Sequence, residues 1–245
     1  MTSVSNVDTR PHPRVAAPPT AAGFDWFLAL ALVACGAAVV RALFFTPADA
    51  MLGDVQKLFY VHVPAAIAGL YIGCGLLAVC SLVYLWVKDD RLDRLAESSA
   101  EVSLLCMTVV LTTGPIWGRS SWGTWWVWDA RLTSTLFLWF LVLSYLVLRG
   151  AVEQPETRAR LSAVMGSLAA LLVPFIHLTV YLFRSQHPSP IVIRPEALTS
   201  PSLPPEMAAT FGLSATAFIL LFFAMLRLRY RLATATAARN AMEHG

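Results

Sequence analysis

The sequence predicts an all-α protein that crosses a membrane six times. Three observations predict it: composition, the lengths of the apolar runs, and the side on which the basic residues fall. Of 245 residues, 57% are hydrophobic and only 13% are charged, against roughly 25% charged in a soluble domain. So little polar surface cannot coat a globule in water, and the bilayer is the expected solvent. The net charge of +3 comes from scattered arginines. Nucleic-acid binding would need a clustered basic face, so it is not expected.

Six stretches reach the ~20 apolar residues that a spanning helix needs. They run over about 23–45, 61–87, 99–118, 130–149, 161–183 and 208–228. The first is longer than a signal-peptide core of roughly 7–15 residues and reads as a retained helix. Arg41 lies near its end, where a long basic side chain can snorkel to the interface. The Gly114–Pro115 pair should distort the third helix and Pro174 should kink the fifth. The divisions expected are an N-terminal tail over 1–22, a six-helix domain over 23–229 and a C-terminal tail over 230–245.

Orientation follows from lysine and arginine. Arg10, Arg14, Lys88, Arg91, Arg94, Arg149, Arg158, Arg160, Arg227, Arg229, Arg231 and Arg239 fall on one side of the six-span arrangement. Arg41, Lys57, Arg119, Arg131, Arg184 and Arg194 fall on the other. The richer side is the cytoplasmic one, so both termini should be cytoplasmic and the loops near 46–60, 118–129 and 184–207 should face outward. The last of these is proline-rich, with Pro188, Pro190, Pro195, Pro201, Pro204 and Pro205. The four cysteines, Cys35, Cys74, Cys80 and Cys106, sit in apolar runs with no CxxC pair, which argues against a disulfide framework or zinc site.

The outer face holds the chemistry. Trp117, Trp122, Trp125, Trp126 and Trp128 lie within twelve residues, and they are five of the eight tryptophans. An interfacial aromatic belt would place indoles at the headgroup level, but a belt spreads them over many helix ends. This concentration suits a surface for a large, flat, apolar ligand. His62, in Tyr60-Val61-His62-Val63-Pro64, and His187, in Arg184-Ser185-Gln186-His187-Pro188, flank it on the same side. Each read alone is better explained as a hydrogen-bonded histidine than as a ligand. As a pair from separate segments they suit the two faces of a haem iron, for which imidazole is a usual axial ligand. Lys57, Arg119, Arg131 and Arg184 could meet carboxylates through charge-assisted hydrogen bonds or lipid phosphates. Asp129 stands where a carboxylate caps the fourth helix, and would thereby fix the tryptophan loop. His177 lies within the fifth helix, where a hydrogen bond to another helix or a functional role are both open.

The run Trp122-Gly-Thr-Trp-Trp-Val-Trp-Asp129, followed by Ala-Arg-Leu-Thr-Ser134, resembles the signature of the tryptophan-rich haem-handling superfamily. With Tyr60-Val-His-Val-Pro-Ala-Ala66, six helices and this length, the chain closely resembles the haem exporter protein C family of the bacterial cytochrome c maturation pathway (system I). The likeness runs from the first helix to the last. It implies axial ligation of haem b, bound as cargo, by His62 and His187. It also implies a haem platform formed by the loop of Trp117, Trp122, Trp125, Trp126 and Trp128; Asp129 and the outward cations Lys57, Arg131 and Arg184 complete the expected cofactor-binding set. Implied partners are a periplasmic haem chaperone, a small single-helix membrane protein, ABC transporter subunits and membrane lipid. The implied location is the bacterial inner membrane with the site facing the periplasm. The family usually carries a tryptophan pair before the second histidine, and here Leu182 and Phe183 stand instead.

No covalent step is required of such a protein, which makes it a binding and handover module rather than an enzyme. Two other classes are weighed beside it. A b-type electron-transfer subunit needs histidine pairs at depth, and only His177 is deep. A transport subunit passing haem through its own core needs broken helices with polar residues near the midplane, for which Pro174 and His177 are the only candidates.

Overall fold

A computed structural model describes residues 24–188 and 203–244. The expected N-terminal tail, with Arg10 and Arg14, lies outside the described residues, as do Pro190, Arg194, Pro195 and Pro201 of the proline-rich loop. Among the described residues the chain is helical, without a strand; an isolated bridge joins Asp49 and Gly53. Six helical segments are long and apolar enough to cross a membrane, over Trp26–Phe44, Asp54–Val87, Asp90–Trp122, Ala130–Ala151, Pro155–Leu182 and Pro205–Glu243. At ~1.5 Å rise per residue, even the 19-residue first span covers close to 30 Å, the thickness of the hydrocarbon core.

Helix α1 (Trp26–Phe44) starts at Asp25, whose carboxylate accepts the Leu28 N–H at 3.0 Å. That bond, with the Arg227 guanidinium beside it, holds the Asp25 carboxyl below the usual aspartate range. The second span opens with a 3₁₀ turn (Asp54–Leu58), passes through α2 (Phe59–Ala66) and a π-helical segment (Ile67–Gly73), and ends as α3 (Cys74–Val87). The π segment follows Pro64, which donates no N–H to the helix. It stays satisfied because Ser99 donates to the Gly73 carbonyl at 2.8 Å. A side chain at Gly73 would run into Ser103 and Phe222, so the helix that carries Ser103 can approach only because glycine stands there.

Helix α4 (Asp90–Trp122) ends at Gly123, which adopts a left-handed φ of 77° and returns its N–H to the Arg119 carbonyl. Helix α5 (Ala130–Ala151) begins one short loop later, and α6 (Pro155–Ser167) and α7 (Ala169–Leu182) form the fifth span. Helix α8 (Pro205–His244) closes the bundle against α1, α2 and α4. The main core, including Leu70, Leu77, Met107, Leu138, Val142, Tyr145 and Ile176, lies between α3, α4, α5 and α7. Large apolar residues such as Val33, Phe137 and Leu171 face outward, as a lipid-facing surface requires.

Several details add to or differ from the sequence reading. Helix α4 starts at Asp90 rather than near Ser99, because its early charges are paired. Asp93 and Glu97 bind the buried Arg149 of α5 at 2.6–2.9 Å, and Glu101 pairs with Arg229 of α8. Helix α8 continues through residues expected to form a tail. The fifth span breaks at Leu168, while Pro174 lies inside α7: the Gly166–Ser167 pair precedes the break, and the Leu168 N–H turns to the Met165 carbonyl. Gly114–Pro115 leaves α4 uninterrupted. Arg41, near the end of α1, donates its Nε to Thr210 at 3.1 Å, beside a buried Thr46–Thr210 contact.

Candidate functional site

One cavity gathers most of the site residues expected from the sequence. It is lined by His62, Trp117, Trp122, Trp126, Arg131 and His187, with apolar floor residues from Ala66 and Leu70 to Val110, Leu132 and Ile176. The space between these residues, open to solvent at its mouth, is about 710 Å³. Four helix ends build it. The start of α2 carries His62, the last turns of α4 carry Trp117 and Trp122, the start of α5 carries Arg131, and the residues just past α7 carry His187. All four ends meet at one end of the bundle, opposite the Asp93–Arg149 cluster.

Both imidazoles are hydrogen-bonded at Nδ1, which favours a proton there and leaves Nε2 as the nitrogen for a metal. His62, 8% exposed, places Nδ1 2.9 Å from the Thr113 hydroxyl. That hydroxyl donates its own proton to the Val109 carbonyl at 2.7 Å, so it receives the proton of Nδ1. The His187 Nδ1 lies 2.9 Å from the Pro188 carbonyl, which can only accept. Both protons therefore sit on Nδ1, and both Nε2 lone pairs are left for another partner. Burial, with the nearby Arg131 cation, pushes the His187 pKa down to about 4, so the ring is neutral near pH 7. His62 is packed closely as well: its ring meets Trp117 edge-on at 6.0 Å, and a Cβ on Gly114 would sit 3.2 Å from His62 Cε1.

Three donors in the cavity wall lack protein acceptors: Trp117 Nε1, Trp126 Nε1 and Arg131 Nη1 are buried without a hydrogen-bond partner. Buried donors are normally paired, so this wall fits a ligand that brings acceptors such as carboxylates. Apolar walls, two free imidazole nitrogens and unpaired donors together fit a planar, metal-bearing, acidic ligand.

The other expected site residues stand elsewhere. Trp125 and Trp128 are 60% and 77% exposed and lie outside the lining, although Trp128 meets Trp126 edge-on at 5.7 Å. Trp117 and Trp122 belong to α4 rather than to the loop. Lys57 binds Asp54 at 2.7 Å and the Leu43 carbonyl at 3.1 Å, away from the cavity. Arg119 bonds to the Gly123 carbonyl and closes the end of α4. Arg184 is exposed and outside the lining. Asp129 caps α5 through the Leu132 N–H at 2.8 Å, and its second oxygen accepts from Ser185 at 2.6 Å. His177 pairs with Tyr71 of the π segment at 3.2 Å, the interhelical hydrogen bond weighed from sequence.

Sequence reasoning missed Thr113, Gly114 and Ser185. No local pattern marks Thr113 or Ser185, since each gains its role from a partner more than fifty residues away in sequence. Steps of four from His62, to Ala66 and Leu70, do trace one wall of the cavity and were legible as a helical stripe.

Fold and cavity together define a multi-pass helical membrane protein with an aromatic, imidazole-bearing pocket at one end of its bundle. A family model described as "Heme exporter protein C" matches residues 9–244. The chain belongs to the heme exporter protein C family. It is 34% identical to heme exporter protein C of Haemophilus influenzae, over 84% of this chain and 82% of that protein. It is 38% identical to the protein of that name from Rhodobacter capsulatus, over 60% and 62% of the two chains. A Marchantia polymorpha protein named as a putative cytochrome c biosynthesis ccmC-like mitochondrial protein is 33% identical over 67% of each chain.

Proposed function

We propose that this protein binds haem b in the cavity, as cargo, and hands it to a periplasmic haem chaperone for cytochrome c maturation. His62 and His187 supply the axial ligands to iron. Trp117, Trp122 and Trp126 bury the porphyrin, at roughly 25 cal/mol per Å² of apolar surface removed from water. Arg131 and the two unpaired indole N–H groups take the propionates. The exposed Trp125 and Trp128 lie beside the bound ring at the rim, where the chaperone would meet its free edge. The observation that carries this reading is the sharing of one cavity by two imidazoles, each hydrogen-bonded at Nδ1.

The site faces the periplasm and both termini face the cytoplasm of an inner membrane, in accord with the bias of lysine and arginine. ABC transporter subunits and a small single-helix membrane protein complete the working complex, as the family resemblance implies, and drive release. The protein itself forms no covalent bond to haem. Replacing both His62 and His187 with alanine is expected to abolish haem co-purification in detergent. A double variant that keeps its full haem content would overturn the assignment.

A further inference from the structure

The two histidines are anchored by different means. His62 sits inside a helix, and its ring bonds to Thr113 of a second helix. His187 follows the end of α7 at Leu182, past an extended Phe183, so no helix holds its backbone. What holds it is a short chain of hydrogen bonds. Asp129 Oδ1 accepts the Leu132 N–H at 2.8 Å, while Oδ2 accepts the Ser185 hydroxyl at 2.6 Å. With its proton committed to the carboxylate, Ser185 Oγ accepts the His187 N–H at 3.1 Å. One carboxylate thus ties the start of α5 to the backbone of His187, and it is adjacent in sequence to the exposed Trp128.

We infer that Asp129 and Ser185 form a latch that keeps His187 in ligating position, so that opening the latch frees this imidazole while His62 stays in place. Ser185 is then a positioning residue, and release of the planar ligand starts from one face. A partner that engages Trp128 acts one residue from the latch carboxylate, which couples docking at the tryptophan loop to loss of one axial bond. The inference rests on the haem-binding reading above and deepens it.

The test uses the full chain purified in detergent, loaded with ferric haem and followed by absorption spectroscopy and imidazole titration. Ser185→Ala should retain haem but shift from a six-coordinate spectrum toward a five-coordinate one. It should take up imidazole at about tenfold lower concentration than the parent protein, the scale of one lost hydrogen bond to a charged group. Ser185→Thr, which restores the hydroxyl, should match the parent, and His187→Ala should give the fully open end point. Should Ser185→Ala lose helical structure on purification, Asp129→Asn decides instead: asparagine still caps α5 but removes the anion, and should shift the spectrum in the same direction. If His187→Ala changes the spectrum while Ser185→Ala and Asp129→Asn match the parent, the latch is wrong and the haem site stands. If His187→Ala itself matches the parent, the bis-histidine reading fails and takes the latch with it.

Discussion

At the scale of the residue, function depends on which nitrogen of each imidazole carries the proton. Thr113 makes that choice for His62 only because its own proton goes to the Val109 carbonyl. Thr113→Val preserves shape and removes the acceptor, so the ring can rotate or change tautomer. Loss of such outer partners typically costs 10–100-fold in metal affinity. Titration of the detergent-solubilised variant with haem should therefore show affinity at least about tenfold weaker, with His62 still present. Unchanged affinity would mean that packing against Trp117 and Gly114 orients the ring without help. The motif around His62 was readable in sequence, and so was a wall of its cavity by steps of four residues. Thr113 was not, because the distance that matters is spatial.

At the scale of the element, the bundle is pinned at both ends by polar contacts between helices. Arg149 of α5 is buried against Asp93 and Glu97 of α4, beneath the Tyr145 ring, at the end opposite the cavity. Removing one partner from a buried ion pair leaves an uncompensated charge and costs about 3–5 kcal/mol. Arg149→Ala should accordingly lower the melting temperature in detergent, and the Asp93→Asn/Glu97→Gln/Arg149→Met combination should recover most of the loss. A melting temperature unmoved by Arg149→Ala would show that the pair adds nothing to the packing of α4 on α5. This cluster also explains why the sequence reading began α4 nine residues late. Charges were counted against a span, whereas the fold supplies their partners. The break at Leu168 was displaced for a related reason: Pro174 was visible, but the Gly166–Ser167 pair lies where α6 packs closely on Ser81 and Leu77 of α3.

At the scale of the whole molecule, six spans return the chain to the side on which it started, and the four cavity-building helix ends share one face. The proposed orientation makes a direct prediction. In a chain freed of its four native cysteines, Ser120→Cys should react with a membrane-impermeant maleimide in intact spheroplasts. Ala237→Cys should react only after permeabilisation. The opposite pattern would put the cavity on the cytoplasmic side and end the proposed handover to a periplasmic chaperone.

Taken alone, the sequence determined the six apolar spans, the cluster of tryptophans, the two candidate imidazoles and the cap at Asp129. Each of these is written in local composition or short spacing, which the hydrophobic effect and backbone hydrogen bonding read directly. Only the tertiary structure decided that Trp117, Trp122 and Trp126 wall the cavity while Trp125 and Trp128 stay exposed outside its lining. It likewise decided that Arg131 rather than Lys57 turns a free donor inward, and that Ser185 joins Asp129 to His187. Those outcomes depend on where separate helices end relative to one another, a relation set by packing across the bundle and carried by no single stretch of chain.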